Sequence, residues 1–321
     1  MVDSGRMTLR RTAVLVLSLL LGSLATLAHA ADPRMRLSDL APGVHLVTPA
    51  DPADRDRTNA LVVEQATGLV VVNAQPTPEA AKEMLALLAS KLPGRPVRAL
   101  VLPHPHADAA GGASAFPPET LVIASDAAAA SLADAAYDFG AEARARAGAS
   151  YREPARPRIG LRLQGNATLD DRERPLELIP MMPGHSTGDL LVDLPGADLT
   201  AAGSILFEDR NPWPGTANIG GWIAELNNLA SSGRARFVPL HGTPVEAQAV
   251  RRQRESLAWT RGEIDAAFVD RLPAEEIPAR VLAAASAASY FDLAAQPSFA
   301  RSVVELAVKE ALAQRRKFGL P

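Results

Sequence analysis

The sequence predicts an α/β (α+β) protein built as an αββα sandwich, with extra helices at its C-terminal end. Three observations predict it. Short apolar, β-branched runs fall in two stretches, and each stretch is followed by helical periodicity. Polar clusters follow directly on the ends of several runs, where α/β folds place their chemistry. From Pro244 to Phe318 the chain reads as helix, with breaks at Leu272-Pro273, Ile277-Pro278 and Gln296-Pro297.

Composition narrows the functional classes. The 321 residues are 47% hydrophobic and 21% charged, ordinary proportions that allow a sizeable core. A net charge of -3 without a basic stripe excludes an electrostatic case for nucleic acid. Cysteine is absent, so disulfides and thiolate ligands are excluded and any metal must be held by nitrogen and oxygen. Arg10 and Arg11 precede the apolar run Thr12–Leu27, and Ala28-His29-Ala30 ends it like a signal-peptidase site. Residues 1–30 are therefore expected to be a signal peptide, with an uncleaved anchor as the alternative. Removing them takes away three basic residues and one acidic one, so the mature chain stands near -5. No later stretch is apolar enough to span a bilayer. The expected location is periplasmic or secreted. Residues 31–321 are expected to form the domain, with 246–321 as a helical C-terminal extension, and no sequence feature specifies an oligomeric state.

In chain order, Val44–Thr48 reads as a strand. Ala60–Glu64 and Leu69–Asn73 follow as a hairpin turning at Gly68. Pro78 opens a helix to about Leu92, with Ala81, Met84, Leu85 and Leu88 at helical spacing. The buried strand Val97–Leu102 runs straight into Pro103-His104-Pro105-His106-Ala107-Asp108. Thr120–Ser125 is strand-like and Asp126–Ala147 an Ala-rich helix stopped by Gly148. Residues 152–158 are Pro- and Arg-rich and read as a loop. Strands follow at Leu161–Leu163 and Leu176–Pro180, the second leading to Gly184-His185. Leu190–Leu194 and Leu199–Ala202 form the next pair, around a turn at Pro195–Asp198. Ile219–Leu229 is helical, and Arg236–Pro239 is a strand ending at His241.

After residue 30 only five histidines remain, and four stand at strand ends: His104, His106, His185 and His241. The fifth, His45, reads as a half-exposed strand residue. Scarce imidazoles gathered at loop mouths suit a nitrogen-ligated Zn²⁺ site. The residues stand in recognisable blocks: His104-Pro105-His106-Ala107-Asp108-Ala109-Ala110-Gly111-Gly112, then Pro183-Gly184-His185-Ser186-Thr187-Gly188-Asp189, then Ala202-Gly203-Ser204, then Val238-Pro239-Leu240-His241-Gly242. In order and separation they resemble the four motifs of the metallo-β-lactamase-fold hydrolases, over most of residues 40 to 245.

That resemblance implies a two-site metal centre of which this chain keeps one half. His104, His106 and His185 match the three imidazoles of the first zinc site, and Asp108 and His241 match ligands of the second. Ala109 stands where the family has a second-site histidine, Ser204 where it has a bridging aspartate, and Asn73 where it has an acidic residue after the second strand. Alanine has no lone pair, and a neutral hydroxyl is a poor substitute for a carboxylate. Two remaining protein ligands are too few for tight zinc binding, so one Zn²⁺ per chain is expected, with Asp108 as the general base beside it. The Gly220-Gly221-Trp222 helix and the helical tail further resemble zinc metallohydrolases of a quinoprotein relay system, which implies a periplasmic setting.

Three functions compete. The first is an exported mononuclear zinc hydrolase acting on a small ester, thioester or lactam, favoured by the five retained ligand-type residues. The second is a non-catalytic periplasmic binding protein on the same fold, favoured by Ala109, Ser204 and Asn73. The third is a β-lactamase proper. All three take a small molecule as substrate or ligand. Among smaller features, Trp213 and Trp222 read as pocket walls or as core packing. Asp209 and Arg210 read as substrate contacts or solvated loop charges, and the run Arg251, Arg252, Arg254, Glu255 as a wet helix face.

Overall fold

A run such as Leu69–Val72, apolar at every position, is stable in a sheet only when both faces are covered. The architecture covers both. The computed structural model describes residues 34–54, 56–208, 210–214, 216–288 and 297–319. The expected signal peptide at residues 1–30 lies outside the described residues, as does Asp209. One sheet runs in chain order through β1 (Met35–Ala41), β2 (Val44–Pro49), β3 (Ala60–Gln65), β4 (Gly68–Val72), β5 (Val97–Val101), β6 (Leu121–Ser125) and β7 (Leu161–Leu163). Its first three pairings are antiparallel and its last three parallel. The second sheet comprises β8 (Ala167–Leu169), β9 (Leu176–Pro180), β10 (Leu190–Leu194), β11 (Leu199–Phe207) and β12 (Arg236–His241), ordered β12-β11-β10-β9-β8. There only β11 and β12 run parallel.

The helices are α1 (Pro78–Lys91), α2 (Ala107–Ala110), α3 (Asp126–Ala133), α4 (Ala141–Ala147), α5 (Ile219–Ala230), α6 (Ala247–Val269), α7 (Ile277–Ala288) and α8 (Pro297–Lys317). Side-chain alternation along the strands sorts the core into three interfaces. Val70 and Val72 of β4 meet Leu190 and Val192 of β10 between the sheets. Leu69 and Val71 turn the other way, onto Met84 and Leu88 of α1. Leu191 and Ala202 of the second sheet pack on α5 to α8 through Trp222, Leu257, Val281 and Val304. The result is the expected αββα order, with the C-terminal helices forming part of the outer layer. Each fully buried Leu or Met contributes roughly 1.5–3 kcal/mol. Thr77 caps α1 by accepting from the Ala80 amide at 3.2 Å, with Pro78 as its first residue.

The differences from expectation have local causes. β1 escaped notice because an edge strand buries little, here chiefly Met35. β8 is three residues long and only partly buried. β11 continues to Phe207, crossing an irregularity in its pairing at Gly203. The helix expected over 126–147 breaks after Ala133, where Asp134 accepts the Ala136 amide on its own carboxylate at 2.8 Å. The segment that follows bends inward, and Phe139 accepts a bond from the Ala107 amide at 3.0 Å. Tertiary contact overrides alanine's helix propensity there. Pro278 does not break the tail but sits in the first turn of α7, where its missing N–H costs nothing. His45 is buried, its two ring nitrogens 2.6 Å from Asp39 and 2.8 Å from Glu64.

Candidate metal centre

The first block leaves β5 at Leu102, whose amide bonds to Ile123 on β6, and Pro103 accepts from the Leu190 amide of β10. His104 and His106 are thereby fixed where the two sheets meet. His106 is the cap of the short helix α2, which places Asp108 in its first turn. The helix is tied to the turn after β4 by two backbone bonds, Ala74 N to Ala109 O and Gly112 N to Gln75 O, each 2.8 Å. This approach explains the paired glycines. A Cβ on Gly112 would stand 2.1 Å from the Ala74 carbonyl oxygen, and one on Gly111 would stand 2.1 Å from that of Pro76.

His185 rides on the turn between β9 and β10, and that turn is built around Asp189. The Asp189 carboxylate accepts from the Ser186 amide at 2.8 Å and from the Ser186 hydroxyl at 2.7 Å. Burial pushes the Asp189 carboxyl up to about 6, against the lowering effect of the Ser186 bonds. Behind His185 stand Trp222, with ring centroids 5.2 Å apart, and Phe207 at 5.6 Å. Trp222 is fully buried and donates from Nε1 to the Ile205 carbonyl at 2.7 Å, so it is packing and not a pocket wall. Trp213 does reach the centre, edge-on to His106 at 5.3 Å.

Three imidazoles converge. One ligand nitrogen each from His104, His106 and His185 lies within 4.8 Å of the others, and all three rings are buried. His106 Nδ1 and His185 Nε2 face each other at 3.1 Å. Two nitrogens on a tetrahedral Zn²⁺ with bonds of 2.0–2.1 Å are separated by roughly 3.3 Å, so the spacing suits a shared cation. Burial, reinforced by the charge of His104, lowers His106 to about 3. Burial likewise holds His185 well below its usual range, with His106 and His104 adding to the effect. Both rings are neutral near pH 7 and have a lone pair to offer. The outer nitrogen of His106, Nε2, lies 3.5 Å from the Thr216 hydroxyl, and Tyr137 stacks parallel to the same ring at 6.2 Å.

Asp108 links this cluster to His241. Its Oδ1 lies 3.0 Å from His104 Nε2 and its Oδ2 lies 3.2 Å from His241 Nε2. Burial alone would raise the Asp108 carboxyl, but the charge and bond of His104, with those of His241, hold it well below the ordinary carboxylate range. His241, at the end of β12, is lowered to about 4 by burial, with Asp108 opposing and the Arg210 charge assisting. All five residues singled out in the sequence therefore stand in one connected group.

The three departures from the family pattern are also placed. Ala109 is fully buried and presents only a methyl group. Ser204 follows Gly203, whose φ of +54° and shifted pairing mark a local bulge in β11. The Ser204 hydroxyl is buried with no hydrogen-bond partner among the described residues. Asn73, at φ +88°, donates through Nδ2 to the Thr58 hydroxyl at 2.7 Å and to the Asn59 carbonyl at 2.5 Å. Gln75 extends this network, accepting from the Thr58 amide at 3.0 Å and donating to the Thr58 carbonyl at 2.7 Å. Sequence reasoning missed Asp189, Thr58, Gln75 and Tyr137. The Ser-x-x-Asp spacing at 186–189 was the one local signal that could have found any of them.

His241 lines a pocket of about 190 Å³ together with Arg57, Arg210 and Thr58. A larger cavity of about 560 Å³, among Ile179, Met182, Leu191 and Leu229, lies outside the second sheet and has no site histidine in its lining. The smaller pocket has His241, which is bonded to Asp108, in its lining. Among the described residues no helix is long and apolar enough to cross a membrane.

The sequence model of the metallo-beta-lactamase superfamily matches residues 53–241. No curated protein matches the chain. Among solved structures it is similar to the stereoselective inverting sec-alkylsulfatase Pisa1 from Pseudomonas sp., at 18% identity and a TM-score of 0.61, covering 76% of this chain and 45% of that one. A double mutant of the same sulfatase gives 19% identity and 0.60, over 77% and 45%. A metallo-beta-lactamase from Pontibacter korlensis gives 18% and 0.54, over 70% of this chain and 99% of that one. The chain spans less than half the length of the alkylsulfatase, and at these identities the likeness is one of fold.

Proposed function

This chain belongs to the metallo-β-lactamase superfamily, and on that premise we propose that it is an exported, zinc-dependent hydrolase working with one metal ion on a small ester, thioester or lactam. One observation carries the reading: three buried imidazoles converge beside a carboxylate held well below its ordinary range. His104, His106 and His185 would hold the ion. Bound there with an open position, zinc supplies Lewis acidity and a nucleophile near neutral pH. Asp108, kept ionised between His104 and His241, is placed to accept a proton at a carboxylate oxygen. His241 Nε2 steadies that carboxylate through Oδ2. The Thr216 hydroxyl, 3.5 Å from His106 Nε2, can accept a proton held there, which leaves the Nδ1 lone pair towards the cluster. Trp213 and Tyr137 screen the His106 ring from water. The helical tail's likeness to quinoprotein-relay metallohydrolases adds a periplasmic setting to this reading.

The second reading, a binding protein without turnover, is favoured by Asn73, whose donors fit its neighbours as an acid's could not. Elemental analysis of chain purified without chelator separates the two. One zinc per chain, lost in His104→Ala and His185→Ala, together with turnover in a screen of esters, thioesters and lactams, is the expected result. No metal after zinc is supplied would sink the hydrolase reading.

A further inference from the structure

The cavity outside the second sheet joins an apolar wall to a carboxylate that nothing in the protein balances. Its volume of about 560 Å³ falls within the roughly 300–1,000 Å³ of small-molecule sites. Ile179, Met181, Met182, Leu191 and Leu229 supply the apolar wall. Met182 is 70% exposed, and an unbranched thioether adapts to guests of varied shape. Three charged residues share the lining: Asp193, Arg234 and Glu225. Two of them cancel. Arg234 donates to Asp193 from Nε to Oδ1 at 2.9 Å and from Nη2 to Oδ2 at 2.6 Å, and the Thr200 hydroxyl adds a bond to Oδ1 at 2.7 Å. Glu225 has no such counter-charge. It is 5% exposed, yet it meets only the Met182 amide, 3.2 Å from Oε1, and the Asn228 side-chain amide, 3.3 Å from Oε2. It forms no ion pair among the described residues. A carboxylate has about four lone-pair sites, so roughly half of them stay open. Burying such a group without a cation is costly, and a cationic guest would offset that cost.

We propose that this cavity binds a small organic cation, a primary ammonium on an apolar chain, with the ammonium at Glu225 and the chain over Ile179, Met181, Met182, Leu191 and Leu229. An ammonium has three N–H donors and no acceptor, which matches the open lone pairs of Glu225. Once Asp193 and Arg234 offset each other, one negative charge remains in the lining, so an anion of the same length is repelled. A neutral alcohol of that length gains the apolar burial but forfeits the charge-assisted bond. The site owes nothing to the hydrolase reading, because no residue of its lining belongs to the metal centre. Its occupant bears on Met181 and Met182, which lead through Pro183 and Gly184 to His185.

Calorimetric titration with hexylammonium chloride, 1-hexanol and sodium hexanoate tests it, on wild type, Glu225→Gln and Met182→Lys. Wild type should bind hexylammonium roughly tenfold or more tightly than 1-hexanol, the worth of a hydrogen bond to a charged group, and hexanoate more weakly than either. Glu225→Gln keeps an oxygen for the Met182 amide and should bring hexylammonium down to the level of the alcohol, whose own affinity stays unchanged. Met182→Lys alters an exposed side chain that the fold does not pack, so it keeps the test open if the glutamine variant fails to fold. It sets a rival cation in the lining and should weaken hexylammonium while strengthening hexanoate. No binding of hexylammonium to wild type overturns the proposal, as does alcohol or hexanoate binding just as tightly. Hexylammonium affinity unchanged in folded Glu225→Gln, or in Met182→Lys, overturns it too.

Discussion

Replacing Asn73 with aspartate would give the chain the acidic residue its family has after the second strand, and the structure predicts that this harms it. Asn73 is 1% exposed, and its Nδ2 donates to the Thr58 hydroxyl and the Asn59 carbonyl. An ionised carboxylate in its place donates nothing and sets an oxygen against the Asn59 carbonyl. To escape that contact the variant must protonate, which lifts its carboxyl from about 3.9 past 7, three or more pKa units or about 4 kcal/mol at 1.36 kcal/mol per unit. The protonated acid recovers one of the two donated bonds, leaving a deficit of about 1 kcal/mol from the other. A carboxyl raised in the fold gives its full stability below its unfolded value and loses it as pH rises. The deficit against wild type should therefore be about 1–2 kcal/mol near pH 4.5 and about 5 kcal/mol at pH 7.5. Urea unfolding of both proteins at both pH values, followed by tryptophan fluorescence, measures it. A variant as stable as wild type at pH 7.5, or a deficit independent of pH, would refute the claim that Asn73 is matched to its acceptors.

Ala109→His with Ser204→Asp should raise zinc from one equivalent to two, because it brings the second site from two protein ligands to four; unchanged metal content would argue that the pocket has been reshaped beyond repair. Gly112→Ala should cost about 2 kcal/mol or more (about 4 °C or more in Tm), since the added Cβ would meet the Ala74 carbonyl oxygen at 2.1 Å, and an unchanged Tm would contradict the close approach. Asp189, raised to about 6 by burial, should make wild type lose up to about 3 kcal/mol of stability as pH rises from 4 to 7. Asp189→Asn should flatten that slope while its amide oxygen still accepts from Ser186, and identical slopes in the two proteins would remove Asp189 from the account.

The two sheets and the four motif-bearing loops were legible because their signals are local. A strand buried on both faces announces itself by an unbroken apolar run, and histidine is scarce enough in this chain that four at strand ends form a pattern. What was illegible depends on distant partners. Tyr137 lies in a stretch whose alanines favour helix, and the Asp134 turn, the bond from Ala107 to Phe139 and the packing on His106 pull it out. His45 looked like an ordinary strand residue, because its two carboxylate neighbours come from β1, which the sequence hid, and from the far end of β3. Thr58 and Gln75 are polar loop residues of no special spacing, and their role appears only when the turns before β3 and after β4 meet beneath Asp108.

The departures at Asn73, Ala109 and Ser204 look like scattered losses along the sequence, yet in their chemistry they share one direction. Ser204 and Asn73 each replace an acid with a neutral group, Ala109 removes a lone pair, and Arg210 places a positive charge close enough to lower His241. Every change reduces attraction for a second cation, and none touches the three imidazoles of the first cluster. Random decay of an unused centre has no reason to spare His104, His106 and His185, since a buried imidazole freed of its task is a costly polar group to keep in a core. Nor would decay be expected to fit Asn73 with two acceptors at hydrogen-bonding distance. The pattern fits a centre that keeps the ligands of one metal site and lacks those of a second, in which Asp108 answers to His104 on one side and to His241 on the other.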